Sequence, residues 1–265
     1  KAALNDINLK RLKFVFEHGV FPNKDASYML ALQTISNDYP ISEAGAEATF
    51  LIAESIFLKG EQYDNNADTS NRLELVKAAK MLEDIIKKNP TTIAAKKAAN
   101  LLAQIKSVAF TATVEKVNSI GLPFRTLISY KNLTSIHARI IPFSHKEFID
   151  IKDKYGVDWI KIISTKTPLK KWQQPLPDSK DFQTHGTEIK IDALASGTYM
   201  MVLSNQENLS GDNAIIAGHL IHVSNISSVN SNSDVLFVLD RNSGEPLRNA
   251  SVQSYNTQYD YSTRK

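Results

Sequence analysis

Val235-Leu-Phe-Val-Leu-Asp240-Arg-Asn-Ser-Gly244-Glu-Pro246-Leu-Arg-Asn-Ala250-Ser-Val-Gln-Ser-Tyr255 decides how the second half of this chain reads. The apolar run is a strand, Asp240 to Gly244 is a turn cluster, and Pro246-Leu247 restarts the chain. Ala250 to Tyr255 then reads as a second strand. A β-sandwich opens in this way, but sheets need several strands to close an apolar face, and few residues follow. The expectation is therefore a piece of a longer protein, with any chemistry of the whole lying partly elsewhere.

Upstream of that hairpin the alternation continues. Phe110, Ala112 and Val114, then Phe124 to Tyr130, Ile136 to Pro142, Thr184 to Ile191, Thr198 to Leu203 and Ile215 to Val223 read as strands. Gly121-Leu-Pro123, Gly186, Ser196-Gly197 and Gly211-Asp-Asn213 supply turns. Ser144 to Tyr155 reads as a short helix or excursion. Trp159, Pro168, Trp172, Pro175 and Pro177 mark an ordered connector. No long helices alternate with the strands, so antiparallel sheets with one buried face are expected.

Before Val108 the pattern is helical. Leu4, Ile7, Leu12, Val15 and Phe16 form a stripe ending at Gly19, and Asp25 is placed to cap a second helix ending before Pro40. Ser42 opens a third helix to Gly60, a fourth runs from Leu73 to Lys88, and Thr91 or Thr92 caps a fifth. Small residues at Ala48, Ala53, Ala78 and Ala79 permit close helix approach. Ala78 to Pro90 resembles the second helix of a tetratricopeptide (TPR) repeat, and Ala46 to Gly60 its first, although the Glu61–Arg72 link is longer than that family uses. The fold class expected is α+β and multidomain. An all-α TPR-like region (1-108) precedes an antiparallel, immunoglobulin-like β-sandwich (109-229), and 230-265 opens a second one.

Composition narrows the chemistry. The chain has 265 residues, 42% hydrophobic and 22% charged, as ordinary globular proteins do. Its 31 basic and 28 acidic residues are spread along its length, with no cationic stripe to suggest nucleic acid. The absence of cysteine removes disulfides, thiolate zinc sites and cysteine nucleophiles from this stretch. No apolar run approaches a membrane span.

The polar candidates read mostly as structural. His219 and His222 are offset by three, which on a strand puts them on opposite faces. His145-Lys-Glu147 has the His-x-Glu spacing of zinc deaminases without the cysteine pair they need. His185 is expected to fix a turn or strand end, and His18 and His137 show no partner. Glu43, Glu47 and Glu54 read as a solvated helix face. Asp150, Asp153 and Asp158 form an imaginable carboxylate group. Asp240 to Gly244 lacks the spaced glutamate of a calcium loop. Trp159, Trp172 and Tyr155 suit either a sugar platform or staples for the connector. No serine lies in Gly-x-Ser-x-Gly. Catalytic, cofactor and metal residues are accordingly all expected to be none.

Residues 109 to 265 resemble the N-terminal domains of bacterial alpha-2-macroglobulin-like proteins, in the large variety typical of Bacteroidetes. The resemblance rests on ordered marks: Tyr130-Lys-Asn132-Leu, Ile136-His-Ala-Arg139-Ile, Leu176-Pro177 and Asp181-Phe-Gln-Thr-His185-Gly-Thr-Glu188-Ile. Leu194-Ala-Ser-Gly197-Thr-Tyr199, Val223-Ser-Asn-Ile226 and Phe237 to Leu247 complete the series. It implies a non-enzymatic scaffold segment of an envelope or secreted protein whose parent traps proteases. Proteases would then be partners through the parent chain, with other domains of the same chain as further partners and no cofactor. The rival expectations are a surface adhesion or carbohydrate-associated protein and a TPR-like peptide-binding module.

Overall fold

The computed structural model describes residues 2–65, 67, 69–152, 157–230 and 235–253. It is a mixed helix-and-sheet protein. Five helices come first: α1 (Ala2–His18), α2 (Lys24–Asp38), α3 (Glu43–Gly60), α4 (Glu74–Lys88) and α5 (Ile93–Lys106). They pack sequentially as antiparallel neighbours, and α3 also touches α1 and α5. Ser42 Oγ accepts the Gly45 amide at 3.0 Å, and Thr92 Oγ1 accepts that of Ala95 at 3.0 Å, so both helices start at a side-chain cap. Gly45 has no substitute here, since a Cβ would lie 1.9 Å from the Tyr39 carbonyl oxygen. Ala48, Ala53, Ala78 and Ala79 are all buried, which lets α3 and its neighbours approach closely.

Two helical expectations need correction. Asp25 is not the cap of α2; Asn23 precedes that helix in a left-handed conformation, and Asp25 sits in the first turn, where its charge suits the helix dipole. The α1 stripe also turns differently. Leu4, Ile7 and Val15 are exposed, and Leu9 is buried, with Leu12 and Phe16 half-buried beside it. The Leu9 face packs against α2 and α3, and the Leu4 face is left uncovered among the described residues.

The strands are β1 (Ala109–Val114), β2 (Val117–Asn118), β3 (Phe124–Lys131), β4 (Ser135–Pro142), β5 (Lys170–Pro175), β6 (His185–Ile191), β7 (Gly197–Ser204), β8 (Ile216–Val223), β9 (Ile226–Asn230) and β10 (Leu236–Asp240). They form a three-stranded sheet ordered β1-β3-β6 and a five-stranded sheet ordered β2-β8-β7-β4-β5. All pairings in both are antiparallel except the short β2–β8 contact. Phe110, Ile128, Tyr130, Ile189 and Ile191 of the first sheet share one core with Ile136, Ile140, Met201, Leu203 and Ile221 of the second. Tyr199 closes that core: its hydroxyl donates to the Ala195 carbonyl at 3.0 Å while its ring is buried.

The connector is itself regular structure. It holds α6 (His145–Lys152), α7 (Val157–Ser164) and then β5. Trp159 on α7 packs with Ile163, Ile141, Met200 and Val202 on the outer face of the five-stranded sheet. Its ring approaches Gly218 so closely that a Cβ there would meet Trp159 at 3.2 Å. The expected single buried face therefore holds for β3, which alternates, and not for β7, which is buried on both faces from Tyr199 to Ser204.

β9 and β10 pair in a separate two-stranded sheet. The turn after β10 returns only far enough for Leu239 to bridge Pro246. The second strand expected from Ala250 is not formed through Gln253, and Ser254 and Tyr255 lie outside the described residues.

Candidate functional site

The candidate chemical groups are dispersed. His219 and His222 stand on β8, in register with Met201 and Thr198 respectively. Met201 belongs to the core between the sheets, whereas His222 meets His145 of α6 with ring centroids 6.1 Å apart and contacts Thr198 Oγ1 at 3.1 Å. The two histidines thus lie on opposite faces, as the strand period requires. Burial lowers the pKa of both, and for His222 the neighbouring His145 adds to it. Among the described residues no group of three histidine or acidic side chains is arranged to hold a metal.

Glu147 has a different task from the one its His-x-Glu spacing suggests. Its carboxylate accepts the Ser144 amide at 2.7 Å, and Ser144 Oγ accepts the Glu147 amide at 3.2 Å, a reciprocal capping box that starts α6. A bond from Lys166, joined by those from Ser144, lowers its pKa to about 2. Trp159 and Trp172 pack on opposite faces of the five-stranded sheet, so they form no common sugar platform. Tyr155 and Asp153 lie outside the described residues, as do the side chains of Asp150 and Asp158. Asp240 Oδ1 accepts the Asn242 and Ser243 amides, each at 2.9 Å, so its loop is a self-closed turn and its pKa falls.

The most heavily bonded polar group lies where the helices meet the sheets. Asp181 has a fully buried side chain, and its carboxylate accepts from Arg72 Nε (2.7 Å), Ser179 Oγ (2.9 Å) and the Gln183 amide (3.1 Å), and bonds His185 Nε2 (2.9 Å). Burial pushes its pKa upward, but the His185, Arg72, Gln183 and Ser179 contacts outweigh that and hold it well below the usual range. Gln183 Nε2 donates to the Gly60 carbonyl at 3.0 Å, and Phe182 packs against the helical core. Asn132 Nδ2 donates to the carbonyls of Ile105 (2.8 Å) and Ser107 (2.9 Å), closing the end of α5. His185 does fix a loop as its position suggested. Asp181, Gln183 and Asn132 carry the joint, and only their place in the quoted runs hinted at it.

The larger concavity is on the helices. A groove of about 770 Å³ is lined by α1, α3 and the start of α5, and it continues into a second of about 600 Å³ between α1, α2 and the end of α3. Both share Lys13, Leu51 and Glu54. Glu43 Oε1 accepts the Ile93 amide at 3.0 Å, and Glu47 pairs with Lys97 at 2.6 Å. The acidic face of α3 thus lines a groove, with Glu43 exposed as a solvated face requires and Glu47 and Glu54 half-buried.

No family model matches this chain, and no curated protein does. Solved structures are similar in part, among them the following three. A fragment of native alpha-2-macroglobulin from Escherichia coli, spanning domains MG0-NIE-MG1, is 13% identical with a TM-score of 0.35. The match covers 53% of this chain and 47% of that one. The CARDB domain of the PF1109 protein from Pyrococcus furiosus, in complex with di-metal ions, is 13% identical over 44% of this chain and 88% of its own, with a TM-score of 0.26. The PmoD soluble domain from Methylocystis is 11% identical over 44% and 90%, with a TM-score of 0.23. None superposes well enough to assign a fold.

Proposed function

We propose that this chain is a non-enzymatic scaffold and interaction segment of an alpha-2-macroglobulin-like envelope or secreted protein whose parent traps proteases. In this reading residues 1-108 are a TPR-like array and the two sheets that follow are a macroglobulin-type β-sandwich. The observation that carries it is the Leu194-to-Tyr199 turn. Tyr199 seals the shared core and bonds back to Ala195, the corner arrangement by which antiparallel sandwiches fix the entry to an inner strand. The joint at Asp181 supports the scaffold role, because it ties array and sheets through buried polar bonds. Bait segment and thioester would belong to other parts of the parent, since this stretch has no cysteine.

The test is limited digestion of the intact parent protein with several unrelated proteases, followed by native sizing. A single preferred cut with a mobility shift and retained protease is expected. Progressive fragmentation with nothing retained would overturn trapping. One observation favours a second reading, a TPR-like peptide-binding module: the continuous groove along α3.

A further inference from the structure

The groove has a floor of defined character. Glu47, Leu51, Glu54 and Leu58 recur at spacings of four, three and four along α3, so they share one helical face. Leu51 is half-buried at the point common to both ends of the groove, and Leu58 is exposed at one end. Most acidic groups of the groove are already engaged. Glu47 holds Lys97, Glu43 holds the Ile93 amide, Asp6 pairs with Lys10 at 2.8 Å and Glu17 with Lys13 at 3.8 Å. Glu54 differs: among the described residues it has no basic partner, although it is half-buried beside Leu51.

A half-buried carboxylate without a cation is incompletely neutralised, and a concave apolar surround strengthens its field. Tyr28 lies on the wall of the same groove. Its phenol pKa is raised by burial first and then by Glu54, Glu17 and Glu47. The groove therefore presents apolar floor residues with Glu54 unpaired at its middle, while Asp25 and Lys59 stand together at its α2 end.

We propose that this groove receives a basic amphipathic peptide segment, a lysine or arginine of which pairs with Glu54 while a flanking aliphatic side chain packs on Leu51. A charge-assisted bond formed in a partly desolvated groove is stronger than one on open surface. An acidic segment is repelled by the same field. The assignment goes beyond the scaffold reading and stands whether or not the parent traps proteases.

Fluorescence anisotropy of the full chain with a short labelled Leu-Lys peptide, and with its Leu-Glu counterpart of equal length, tests it. The Leu-Lys peptide should saturate and the Leu-Glu peptide should not. Glu54→Gln should weaken binding roughly tenfold, the value of a hydrogen bond to a charged group. Leu51→Ala should weaken it too, whereas Glu188→Gln, at an exposed position of β6, should leave it unchanged. Glu54→Gln removes no intramolecular partner, so its thermal midpoint should match the parent's, which separates lost binding from lost fold. Equal binding of both peptides, no binding of the basic one, or equal loss with Glu188→Gln would each overturn the proposal. So would concentration-dependent dimerisation abolished by Glu54→Gln, which would make a second copy the occupant.

Discussion

Asp181, in a loop, and Asp240, at the end of β10, both have carboxylates that accept the backbone amide two residues on, yet they matter to very different extents. Asp240 serves only its own turn, at the surface, with Asn242 and Ser243 as donors. Asp181 is fully buried and adds Arg72, more than a hundred positions earlier, and His185. The same local chemistry becomes tertiary structure when burial removes competing water and distant donors converge. What a carboxylate does for a fold is thus set by where its second and third donors come from.

The contrast breaks most visibly at Asp181. Asp181→Ala should cost about 3 kcal/mol, because it leaves the buried Gln183 amide and the half-buried donors of His185 and Ser179 without their acceptor. Urea unfolding at neutral pH measures it, and a loss well under 1 kcal/mol would reduce Asp181 to the standing of Asp240. The Arg72 part of that figure is discounted, since the guanidinium is half exposed and screened.

The pH dependence of that loss sharpens the point. Asp181 has a folded pKa below its unfolded one, so its contribution is complete above the unfolded value, about 4. It fades as pH falls through the folded value. The stability gap between the parent and Asp181→Ala should therefore stay constant from neutral pH to about 5 and narrow in stronger acid. A gap that widens on acidification would contradict the assignment.

Gln183→Ala should cost about 1 kcal/mol, one neutral hydrogen-bond set at the joint, and should speed amide exchange near Gly60 and Arg72. Asp240→Ala should give the smallest effect. The unfolding midpoint should hold while the Asn242 and Ser243 amides lose protection, and a shifted midpoint would show that the turn supports more than itself.

The elements were largely legible because their signals are local. Ser42 and Thr92 cap helices by the side-chain oxygens that their position advertises, and strands such as β3 alternate as written. β5 and α7 hid inside the connector, because Lys170 to Pro175 alternates weakly and Trp159 advertised itself as an aromatic rather than as a helix face. Both-faced burial of β7 was invisible for a related reason: it depends on α7 folding over Gly218, a contact between distant residues. The joint and the groove were the least legible. Asp181, Gln183 and Asn132 are ordinary polar loop residues until the helices arrive. Glu54 reads as a solvated glutamate until α1 crosses beside it.

Gln183 and Asn132 reach across the joint to the carbonyl oxygens of Gly60, Arg72, Ile105 and Ser107. Every one of those acceptors is main chain. Of the acceptor residues, Ser107 alone can therefore drift over evolutionary time, since Leu75 crowds Gly60, the helical core holds Ile105 and Asp181 holds the Arg72 side chain. The register between helices and sheets is stored in three letters of the sheet side, Asn132, Asp181 and Gln183, and relatives should vary most at Ser107 while keeping an amide at both donors.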